Sequence, residues 1–143
     1  MIAEPNIALV IAACLSAVAA LLHVGIVIGG AQWYRFFGAG DRLACAAAAG
    51  RVYPTIVTLG IAAVLALWSA YALSGAGLIE PLPQLRWALI TITAVYLARG
   101  LAIVPLLVFA RARSTPFLVW SSLVCSLFGA VSLLGLSQVW ALV

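Results

Sequence analysis

Lysine is absent from this chain of 143 residues, acidic residues number three and histidine one. Charged residues make up 7% of the total, against about 25% in ordinary soluble domains, so the chain has too little polar surface to cover itself in water. No paired carboxylates, H-E-x-x-H, G-x-S-x-G or phosphate-cradling glycine loop occurs, which leaves hydrolases, kinases and metalloproteases without their minimum parts. The three cysteines, Cys14, Cys45 and Cys125, are odd in number and form no C-x-x-C, so neither a disulfide framework nor a metal site is expected of them. They read as small apolar packing residues.

What is present is hydrophobic. Apolar residues account for 67% of the chain and mean hydropathy is +1.28. Four apolar runs, at about 7–30, 54–74, 86–110 and 117–140, are each long enough to cross a bilayer core of ~30 Å as a helix. None alternates as a barrel strand does, and lipid offers no partner to free backbone groups. The reading is an all-α integral membrane four-helix transmembrane bundle, a single domain over 1–143. The opening "MIAEPN" lacks the positive n-region of a cleaved secretory signal, so the first run is expected to stay in the mature protein.

The net charge of +4 and pI near 9.4 come from arginines at span ends, which argues for membrane topology and against a nucleic-acid partner. Arg35, Arg42 and Arg51 lie in the first linker, Arg111 and Arg113 in the third, and only Arg86 in the second, opposite Glu80. Arginine excess marks the cytoplasmic side, so both termini are expected outside. Trp33, Tyr34, Tyr53 and Trp120 then fall at the inner interface, and Trp68, Tyr71, Trp87 and Trp140 near the outer one. Asp41 is placed to cap a short interfacial helix from Arg42 to Ala49, ended by Gly50, with Phe36 and Phe37 dipping into the headgroups.

Small residues at Ala13, Ala17, Gly25 and Gly29 form a stripe on span one that would let another helix approach closely, within the bundle or in a dimer. On span four, Ser121, Cys125, Phe128, Ser132 and Gly135 share a face. Pro105 removes a backbone donor, so a kink is expected about one turn beyond Arg99, whereas Pro54 opens span two harmlessly.

Arg99 stands almost at the middle of span three, where a charge costs about 2.5 to 3.5 kcal/mol on insertion scales. The only acids, Glu4, Asp41 and Glu80, lie in tails or linkers. Its partners must then be neutral: Tyr96 one turn back, Ser16 and His23 of span one, or the hydroxyls of span four. Arg99, Tyr96, His23 and Ser16 form the candidate ligand-binding set, suited to a lipid headgroup, a fatty or organic acid, or a quinone oxygen. The competing reading has Arg99 snorkelling to the inner interface, bonded only to carbonyls and phosphate. As a whole the chain reads as a lipid-binding or partner membrane subunit, self-associating or in a larger complex. The alternatives are a quinone-binding redox enzyme or its anchor, and a structural subunit. No cofactor is assigned; bis-histidine haem would need a second histidine from another subunit.

In length, span count and the segment "WYRFFGAGDRLA" after the first span, the chain resembles small bacterial four-span inner-membrane proteins of the DoxX-like kind. The resemblance is one of layout across most of the chain. It implies a bacterial inner-membrane location and carries over no catalytic residue. Cation exporters of similar size depend on an intramembrane acid, and small fluoride channels on a buried asparagine; Asn6 is the only asparagine here.

Overall fold

The computed structural model describes residues 4–109 and 115–142. Among these the regular structure is helical throughout: α1 (Ile7–Phe36), α2 (Asp41–Ala48), α3 (Tyr53–Gly75), α4 (Leu85–Leu101), α5 (Ile103–Phe109) and α6 (Pro116–Val139). Four stretches, Ile7–Phe36, Tyr53–Gly75, Leu85–Phe109 and Pro116–Val139, are long and apolar enough to cross a membrane, and α2 lies between the first and second. This is the build of a multi-pass membrane protein. Arg111 and Arg113, on which half of the topology argument rests, lie outside the described residues.

Helix ends follow local chemistry. α1 passes the expected stop at Gly30, which takes φ 61° and ψ −151° and kinks the helix without ending it. Only glycine adopts that conformation cheaply. Asp41 does not cap α2. Gly40 occupies the cap position and Asp41 is the first helical residue, where its charge still favours the positive end of the helix dipole. At the other end Gly50, with φ 69°, donates to Ala47 O while Arg51 donates to Ala46 O, which satisfies the last carbonyls in a Schellman turn. The helix break in the third span falls at Ala102, between α4 and α5. Leu101 is four residues before Pro105, so its carbonyl has no donor there.

The chain forms two compact units, one drawn from Met1–Leu15 and Trp68–Val143, the other from Ser16–Leu67. In the first, Leu9, Ala76, Leu89, Leu136 and Val139 make an apolar cluster. Leu9 is its key: the side chain fills space left by Gly75 and Gly135, at each of which an added Cβ would sit 3.0 Å or less from a Leu9 carbon. Asn6 closes the same end. Its Oδ1 accepts from Leu9 N at 2.9 Å as the cap of α1, its own N–H donates to Ala76 O at 3.1 Å, and its Nδ2 donates to Gln138 Oε1 at 2.8 Å. One side chain with its backbone therefore ties the ends of α1, α3 and α6. Ser74 Oγ donates to Glu80 O and accepts from Leu82 N, which orders the α3–α4 loop.

The small-residue stripe of α1 divides. In the first unit Ala12 and Ala13 pack on Ala72, and Ser69 Oγ donates to Ala13 O at 2.8 Å. In the second unit Gly25 and Gly29 are covered by the indole of Trp33 from the same helix. Tyr34 is buried with Ile26 and Ala44, and its hydroxyl donates to Thr58 Oγ1 at 2.9 Å. Of the three free cysteines, Cys14 and Cys45 are exposed and so do not pack in a core, while Cys125 is partly buried.

Candidate functional site

The packing of α4 against α6 determines where Arg99 can reach. Gly100 lies against Ser126, where an added Cβ would come 2.7 Å from the Ser126 backbone nitrogen, and Gly129 lies against Leu97 in the reciprocal arrangement. Two glycines thus let the antiparallel helices touch backbone to backbone. Tyr96 is buried and sits between two rings, edge-on to Trp68 at 5.0 Å and to Phe128 at 5.3 Å. Such pairs favour T-shaped contacts because ring edges are positive and faces negative.

Arg99 emerges beside this aromatic stack on the exposed side of the seam. Its Nη1 donates to Ser122 Oγ at 3.3 Å and its Nη2 to Ser121 Oγ at 3.1 Å. Ser121 Oγ itself donates to Leu118 O at 3.2 Å, which spends its proton and leaves its lone pairs for the guanidinium. Because Gly100 faces Ser126 and Leu97 faces Gly129, Ser122 stands about level with Val104. The side chain therefore runs roughly 7 Å along the seam toward the α5 end, at ~1.5 Å per residue.

Two features make this position tolerable for a cation. Arg99 lies in the last turn of α4, where a helix presents the negative end of its dipole. Pro105 has no N–H, so the Leu101 carbonyl beside the break at Ala102 lacks its helical donor. The compensation is nonetheless neutral, since Glu4 precedes α1, Asp41 opens α2 and Glu80 is in the α3–α4 loop. A guanidinium has five donors and no acceptor, so it suits ligands with two oxygens in a plane.

Of the other residues singled out, Tyr96 shares α4 and the same unit with Arg99. His23 and Ser16 belong to the second unit. His23 is half-buried with Nδ1 2.7 Å from Ala19 O, one turn back on its own helix; a carbonyl only accepts, so Nδ1 carries the proton. Ser16 is buried. Sequence reasoning did not single out Ser122, Ser126 or Gly100. The doublet Ser121-Ser122 and the Arg-Gly pair at 99–100 were the available signals. Among the described residues no group of three His, Cys, Asp or Glu side chains could hold a metal ion.

No family model, curated protein or solved structure matches the chain.

Proposed function

We propose that this is a multi-pass inner-membrane protein that holds an anionic or carbonyl-bearing group at Arg99, on the exposed side of the α4–α6 seam. The observation that carries the reading is a guanidinium within an apolar span, about level with Val104 toward its α5 end, whose partners among the described residues are two neutral hydroxyls. Neutral acceptors leave its positive charge uncompensated. A phosphate, carboxylate or quinone oxygen arriving from the lipid phase would add a charge-assisted bond, about twice as strong as a neutral one. Among the four residues singled out, Arg99 alone is essential to this reading.

Native mass spectrometry of gently purified protein tests it. Wild type should retain a lipid, fatty acid or quinone that Arg99→Leu does not. A second reading is favoured by the same hydrogen bonds: Arg99 is a staple between α4 and α6, without a ligand. In that case the variant loses no bound species, and Ser121→Ala/Ser122→Ala destabilises wild type but not the variant. The inner-membrane, N-out orientation is a further part of the proposal, supported by Arg35, Arg42 and Arg51 in one linker. Cys45 should then resist impermeant thiol reagents added to intact cells.

A further inference from the structure

The corner where α1 turns into α2 carries a surface that the Arg99 reading does not use. Phe37 packs inward against the cluster of Ile26, Tyr34 and Ala44. Two more rings lean on it, Phe36 edge-on at 5.0 Å and Trp33 tilted at 5.8 Å. Phe36 is 82% exposed. The buried bond from Tyr34 to Thr58 fixes the first turns of α3 to the same corner. These rings therefore stand on an ordered base.

Charge surrounds them. Arg35 is in the last turn of α1, Arg42 in the first turn of α2 and Arg51 directly after its Schellman end, and all three are exposed. Asp41 is the only acid among them. A polar surface in water has no use for a Phe36 ring so far exposed, and an apolar protein contact has no use for three guanidinium groups. A phospholipid interface offers phosphate for the arginines and an acyl boundary for the rings within one thin layer. The ends of α1 and α3, both spans, meet at this corner and put it at the depth of that layer.

We infer that the α1–α2 corner is a docking surface for anionic phospholipid headgroups, with Arg35, Arg42 and Arg51 taking phosphate and Phe36 and Trp33 entering the acyl boundary. Zwitterionic headgroups bring a cation of their own, so the excess of arginine over acid selects against them. The inference stands apart from the ligand proposed at Arg99.

The test is native mass spectrometry from nanodiscs of equal parts phosphatidylglycerol and phosphatidylcholine, in an Arg99→Gln background so that the two sites are read separately. Arg99→Gln protein should retain phosphatidylglycerol over phosphatidylcholine by about fivefold for each arginine engaged. Adding R35Q, R42Q and R51Q should lower that preference by about fivefold for each engaged arginine removed, leaving only what Arg111 and Arg113 contribute, while the corresponding three lysine substitutions should keep most of it. If the triple glutamine protein does not fold, the single variants carry the test, each lowering the preference by a similar factor. A preference for phosphatidylglycerol left undiminished by removal of all three arginines, or of each in turn, would overturn the inference.

Discussion

Gly100 of α4 lies against the backbone of Ser126 of α6, with no room between them for a methyl group. The contact is what brings the two serines before it within reach of Arg99. Gly100→Ala must push the helices apart, and overpacking of this kind costs typically about 1–3 kcal/mol. The melting temperature in detergent should fall, and Gly129→Ala, which meets Leu97 across the same seam, should act in the same direction. If both variants melt with wild type, the seam is looser than described.

Leu9 and Gly135 form a second lock of the same type, and it can be tested by compensation. Leu9→Ala leaves a cavity, at a cost of about 2–5 kcal/mol, whereas Gly135→Ala alone overfills the site. Combined, the two changes should cost less than the sum of the single ones, because the new methyl enters the space that the leucine vacates. Additive losses by thermal unfolding would mean that the residues do not share that space.

Asn6 unites a helix cap with a tie to α6, and two substitutions separate these roles. Asn6→Asp keeps the oxygen that accepts from Leu9 N but lacks the amide donor to Gln138, so a loss of a few tenths up to about 1 kcal/mol is expected. Asn6→Ala loses both and should be the more destabilised by roughly a further 1 kcal/mol. Amide hydrogen exchange at the start of α1 reads the cap directly: protection of Leu9 should survive Asn6→Asp and fall in Asn6→Ala.

Trp33 covers the glycines that would otherwise offer α1 to another helix. Trp33→Ala should uncover Gly25 and Gly29 and raise the fraction of self-associated protein in sedimentation velocity. An unchanged distribution would mean that this half of the stripe is not an association surface even when bare.

These residues also indicate how far the sequence could be read. The four spans and the short helix follow from run length and hydropathy, and the break near Ala102 from Pro105, because these depend on local chemistry. The packed face of α6 did not follow. The hydroxyl-bearing face at Ser121, Cys125, Phe128, Ser132 and Gly135 shares only Ser132 and Gly135 with the buried set, which adds Ser122, Gly129, Leu136 and Val139. A span that is apolar all round gives hydropathy no phase to detect, and in lipid small residues mark the contact face better. Gly25 and Gly29 obeyed that rule in form yet were occupied by Trp33, eight and four residues ahead. A kink at Gly30 intervenes there, and kink geometry is invisible to a residue count. For Arg99 the need for neutral polar company was legible from the scarcity of acids, but its actual partners depended on the α4–α6 register, which two glycines determine.

The most direct measurement is the dissociation constant of a medium-chain fatty acid for detergent-solubilised wild type and Arg99→Leu, by isothermal titration calorimetry. Loss of a charge-assisted bond should weaken binding by about tenfold or more. Equal constants for the two proteins would contradict the assignment of Arg99 as the group that holds an anion.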